Sequence, residues 1–153
     1  MKKIYKNYYY IIIILIITLD VFSKYWILNY LYLYENKKIL SILNLFHVHN
    51  YGIAFSILSN KTLWNRFFLS LINIIIILLI FKELINLKIK YKKLSYCFII
   101  SGAIGNLIDR LYYGFVIDFI DIHIKNWHFP TFNISDFSIF IGIIIYIKRY
   151  IKF

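Results

Sequence analysis

Residues 8–28, which include the run IIIILIITL, form an apolar stretch about as long as a bilayer is thick. A helix rises about 1.5 Å per residue and needs about 20 residues to cross a hydrocarbon core of about 30 Å. Three more apolar stretches follow, at 64–82 around FFLSLINIIIILLIF, at 94–110 around LSYCFIISGAIGNLI, and at 135–149 around FSIFIGIIIYI. The chain is 61% hydrophobic and only 16% charged, whereas soluble domains carry about a quarter of their residues as charges. These runs predict a single integral membrane domain over 1–153, mainly α, with four transmembrane helices at approximately 8–28, 64–82, 94–110 and 135–149.

The amino-terminal MKKIYKN followed by an apolar run imitates a secretory signal. The segment Leu19-Asp20-Val21-Phe22 offers no small-x-small cleavage site, so the run reads as a retained first span. The single Cys97 cannot form an internal disulfide and reads as a packed thiol.

A net charge of +11 would suggest nucleic acid in a soluble chain; here its distribution matters more. Lys2, Lys3 and Lys6 precede the first span. Lys82, Lys88, Lys90, Lys92 and Lys93 separate the second from the third, and Lys148, Arg149 and Lys152 follow the fourth. With four spans all of these lie on one side. The positive-inside rule makes that side cytoplasmic, with both termini inside. All acidic residues but Glu83 then fall in the outer part of the protein.

The outer segments, at 29–66 and 109–135, are too apolar for plain loops. FHVHN at 46–50 and FIDIHIK at 119–125 alternate with period two, which predicts short strands in a small sheet on the outer membrane face. In the second, Asp121 alternates with isoleucines and is expected to face water.

The polar residues within the spans gather at one depth. Asp20 lies twelve residues after Tyr8 and Asn106 twelve after Leu94, so both fall in the outer part of the membrane. Lys24, Asp109 and Arg110 lie further out, and Asp136 opens the fourth span. Each also has a purely structural reading. Asp20 and Lys24 are i, i+4 and can neutralise one another. Gly102, Asn106 and Asp109 share a helix face that could be a packing seam. Asp109 beside Arg110 reads as a charge pair at a helix end. Asn133 with Asp136 fits a helix N-cap.

Asp118, in GFVIDFID at 114–121, resists such a reading, with no cation within four residues and apolar neighbours on both sides. A carboxylate in that setting needs a partner or a function. If it meets Asp136, repulsion and poor solvation would let the two share one proton, and such a pair can activate water and protonate a leaving amine.

These residues fall in a recognisable order. DVFSK at 20–24, NYGIAF at 50–55, GAIGNLIDR at 102–110, GFVIDF at 114–119 and FNISD at 132–136 resemble the motifs of the lipoprotein signal peptidases, or signal peptidase II, over essentially the whole chain. The resemblance implies a bacterial inner-membrane aspartyl endopeptidase that removes the signal peptide of a prolipoprotein before a diacylglyceryl-modified cysteine. It implies catalytic Asp118 and Asp136. Substrate-positioning roles carry over to Asp20, Lys24, Asn50, Gly52, Asn106, Arg110 and Asn133, and supporting roles to Asp109, Gly102 and Gly105. The implied fold is four transmembrane helices with an outer β-cradle. No metal or other cofactor is implied, and the partners are the lipidated substrate and membrane lipid, with no nucleic acid; nothing in the sequence points to an oligomer. Two positions depart from the family pattern: Val21 stands where Gln is common after the first Asp, and Ser135 where Ala usually precedes the last. Ser135 is expected to add a hydrogen bond near Asp136.

Two rivals remain at this point. A metalloprotease would use His47, His49, His123 and His128, but no HExxH pair exists. A channel or carrier would line a path with Asp20, Asn106 and Asp109, but the second and fourth spans supply almost no polar groups in their cytoplasmic halves.

Overall fold

The computed structural model describes residues 4–52, 62–87 and 89–148. Lys2, Lys3, Lys88, Arg149 and Lys152 of the charge pattern, and Ile53, Ala54 and Phe55 of NYGIAF, lie outside the described residues. Four helices and four strands are present among those described: α1 (Ile4–Tyr30), β1 (Asn36–Leu40), β2 (Leu43–Asn50), α2 (Leu63–Asn86), α3 (Lys90–Tyr112), β3 (Val116–Ile124), β4 (Trp127–His128) and α4 (Ile134–Ile147). The strands neighbour one another in the order β1-β2-β3-β4, every pairing antiparallel. Tyr8–Tyr30 and Leu63–Asn86 are each long and apolar enough to cross a membrane, and Ile134–Ile147 is a shorter apolar helix.

The distribution of side chains is inverted relative to a water-soluble protein. Ile11, Ile14, Leu15, Leu19 and Phe22 of α1 and Leu71, Leu78 and Leu79 of α2 point outward. Asp20, Lys24, Ser95, Ser101, Asn106, Asp109, Ser135 and Ser138 are buried. Such large exposed apolar faces are costly in water and neutral in lipid, whereas the polar interior finds its partners within the bundle.

Helices α3 and α4 approach closely through small residues. A Cβ on Gly102 would collide with the Ser135 carbonyl oxygen, and one on Gly142 would lie 2.8 Å from that of Ser95. Across the same seam the Ser95 hydroxyl donates to the Gly142 carbonyl and the Ser138 hydroxyl to the Phe98 carbonyl, both at 2.7 Å. Cys97 is fully buried beside Tyr9, Leu84 and Ile100, as a packed thiol should be.

The alternating segments are strands, with one correction. Asp121 is buried, not facing water: Asn44, its register partner on β2, donates to it at 2.9 Å, and His128 approaches at 2.8 Å. Ile122 and Ile124 are exposed instead. Ile27 of α1 and Leu31 just after it pack against Ile117 and Phe119, which seats the sheet at the C-terminal end of α1.

Candidate active site

The chain returns from β4 alongside β3 before entering α4. Phe132 bridges Ile120: its carbonyl accepts from Ile120 N at 2.8 Å and Phe119 N at 3.0 Å, and its own N–H donates back to the Ile120 carbonyl at 3.1 Å. That bridge sets Asn133 against β3. The Asn133 side-chain oxygen accepts from Asp136 N at 2.8 Å, the N-cap expected for α4, and its amide donates to Asp118 Oδ1 at 2.7 Å. One fully buried asparagine therefore ties the backbone of one carboxylate residue to the side chain of the other.

Both oxygens of Asp118 are held, since Asn50 Nδ2 donates to Oδ2 at 3.0 Å. Asn106 Nδ2 donates to Asp136 Oδ1 at 2.7 Å, and the Asn106 oxygen accepts from Asn133 at 3.2 Å and Lys24 Nζ at 3.3 Å. Burial, followed by the negative charge of Asp136, pushes the Asp118 carboxyl up to about 8, against the smaller opposing effects of Asn50, Lys24 and Asn133. An acid of that strength holds its proton at neutral pH and has room to lose it in a reaction.

Lys24 anchors the inner side of the site. Its ammonium lies 2.7 Å from Asp20 Oδ2 and 2.8 Å from Asp109 Oδ2. Asp109 is thus the partner of Lys24 and not of its neighbour Arg110, which corrects the charge pair expected from adjacency: successive helical residues point about 100° apart. Asp109 Oδ2 also accepts from Ile117 N at 3.1 Å, tying α3 to β3. Asp20 Oδ1 accepts from Ser135 N at 2.8 Å. Ser135 therefore meets Asp20 through its backbone, and its buried hydroxyl makes no hydrogen bond among the described residues, in place of the expected bond near Asp136. Gly105 makes room for this contact, because a Cβ there would lie 2.6 Å from Asp20 Oδ2 and would strike the Ser135 hydroxyl.

Arg110 turns to the segment after β2, where Nη2 donates to the Gly52 carbonyl at 2.9 Å. Gly52 N in turn donates to Asn50 Oδ1 at 2.9 Å, closing a turn that aims the Asn50 amide at Asp118. Asp20, Lys24, Asn50, Gly52, Asn106, Asp109, Arg110, Asp118, Asn133 and Asp136 thus form one connected polar cluster, and Gly102 and Gly105 line its α3 wall. Asn65 and Arg66 of α2 went unnoticed in the sequence. The Asn65 amide donates to the Tyr51 carbonyl at 3.3 Å, and Arg66 Nε to that of Arg110 at 2.7 Å. The histidines pair apart from this cluster: His47 and His49 meet at 3.1 Å through their Nε2 atoms, and His123 stacks on His128.

Comparison with known proteins gives the chain a family. The family model for "Signal peptidase (SPase) II" matches residues 12–152. A lipoprotein signal peptidase of Buchnera aphidicola subsp. Schizaphis graminum is 60% identical over 97% of both chains. One from Photorhabdus laumondii is 42% identical over 86% of this chain and 80% of its own. A solved bacterial membrane enzyme structure, determined by the in meso method at 1.9 Å resolution, superposes with a TM-score of 0.84 at 31% identity, covering 95% of this chain and 94% of its own. With a matching family model over nearly its full length and relatives of this similarity, the chain belongs to the signal peptidase II family.

Proposed function

We propose that this protein is a membrane aspartyl endopeptidase that cleaves prolipoproteins before a diacylglyceryl-modified cysteine, with Asp118 and Asp136 activating the attacking water. The observation that carries the reading is Asn133, which joins the buried Asp118 and the half-buried Asp136 from separate elements while other amides hold each carboxyl in place. Repulsion and poor solvation leave one proton on the pair. The ionised member takes a proton from water as the water oxygen attacks the scissile carbonyl carbon. The protonated member supports the developing oxyanion, and a proton then passes to the departing amine of the cysteine. Lys24 offsets one of the two negative charges of Asp20 and Asp109, and its ammonium, which also reaches Asn106, favours the ionised member of the pair.

The same reading makes α1 to α4 four spans of a bacterial inner membrane, with both termini cytoplasmic, the sheet outside, and the protein working as a monomer. Lipid-facing Ile and Phe side chains and outer aromatics such as Trp26, Tyr30, Tyr32 and Trp64 suit that placement. The test is a reconstituted assay in lipid vesicles. The purified protein should cleave a diacylglyceryl-modified prolipoprotein and leave the unmodified precursor intact. Equal cleavage of both would overturn the assignment.

A further inference from the structure

Among the described residues, helix α2 contributes no side chain to the cluster around the two carboxylates, yet its first turn grips two of the segments that build it. Thr62 caps α2 by accepting from Asn65 N at 3.3 Å, which fixes Asn65 with its amide against the Tyr51 carbonyl. Arg66 reaches α3, where Nε donates to the Arg110 carbonyl at 2.7 Å and Nη2 donates to the Leu111 carbonyl. Those carbonyls belong to the last turn of α3, where no further helical N–H follows to take them all. A cation from within the helix, or water at the interface, could serve a helix end equally well. Here the donor comes from another helix, and it grips the residue whose own side chain points back at Gly52.

The contacts close into a ring. Arg110 Nη2 donates to Gly52, Gly52 is bonded to Tyr51, Tyr51 accepts from Asn65, and Arg66 beside it holds the Arg110 carbonyl. The ring meets the reacting groups twice: Gly52 N fixes the Asn50 side chain that donates to Asp118, and the Arg110 charge is attracted by both Asp136 and Asp118. Gly114, at φ +85°, completes the corner, with its N–H donated to the Arg110 carbonyl and Arg66 packed over its α-carbon.

We propose that Asn65 and Arg66 are positioning residues of the active site: they hold the Gly52 turn and the Arg110 end of α3 in register with the carboxylate pair. The activity arm of the test rests on the peptidase reading above. In the vesicle assay, Arg66→Ala lowers kcat/KM about 30- to 100-fold, the range expected when a positioning element slips by about 1 Å, with the loss mainly in kcat. Arg66→Lys, which can reach one carbonyl but not both, recovers part of it. In an Arg110→Ala background, Arg66→Ala should add less than about 3-fold, because a residue that acts through Arg110 has nothing left to place. Losses that multiply in the double variant, or a full-strength Arg66→Ala enzyme, would overturn the proposal. Hydrogen exchange on the same proteins decides independently of cleavage. Arg66→Ala should speed exchange at Gly52 and Gly114 together, and a change confined to residues 62–66 would refute the clamp. Asp118→Asn serves as reference: cleavage retained there would remove the peptidase reading, and the exchange result would still decide on the clamp.

Discussion

At the scale of single residues the central fact is that Asp118 lies buried with an amide on each carboxylate oxygen and another carboxylate's charge acting on it. Asp118→Asn and Asp136→Asn should each abolish prolipoprotein processing while membrane insertion stays normal. Asp121→Asn should keep substantial activity, since its partners are Asn44 and His128 at the far side of the sheet. An inactive Asp121→Asn beside an active Asp118→Asn would reverse the assignment. A second expectation concerns pH. The Asp118 carboxyl is raised from 3.8 to about 8, so between those values the folded protein holds a proton that the unfolded chain releases. Its contribution therefore weakens stability as pH rises from about 4 to about 8, then levels. Thermal unfolding in detergent micelles should show Asp118→Asn gaining on the wild type across that window; a gap independent of pH would contradict the shift.

At the scale of elements, spacing along one helix was readable and packing between helices was not. The i, i+4 pair of Asp20 and Lys24, the shared face of Gly102, Asn106 and Asp109, and the Asn133 cap are local features, and each stands in the structure. The Lys24–Asp109 pair joins residues far apart in sequence, so adjacency pointed to Arg110 instead. Alternation identified β3 but not which of its faces would be covered, and Asn44 together with His128 decided that for Asp121. Arg66 opens an apolar helix, where an arginine reads as an interfacial anchor until α3 is placed beside it. Gly105 supplies the prediction at this scale. Gly105→Val pushes side-chain atoms into the Asp20 carboxylate and the Ser135 hydroxyl, so it should destabilise the bundle by about 1–3 kcal/mol and reduce cleavage. Gly105→Val with unchanged melting temperature would show that α1, α3 and α4 are looser than this contact implies.

For the whole molecule, apolar residues outside and a polar cluster inside fit a protein whose solvent is lipid. Reporter fusions at either terminus should be active only in the cytoplasm, and a reporter inserted in the β1–β2 turn only outside. Two reporters of opposite sidedness at the termini would require an odd number of crossings.

Asn133 is at once the first brace of α4 and the amide that holds Asp118, so the start of that helix and the carboxylate pair share one atom group. Length variation between positions 118 and 133 can then be absorbed at the tight bend around Lys125, which already sits at φ 54° on the outward tip of the sheet. Between 133 and 136 not even one added residue fits, since it would rotate the carboxylate about 100° around the helix axis. Homologues and designed variants should accordingly differ freely in the length of that tip, and keep the three-residue step from the asparagine to the aspartate fixed.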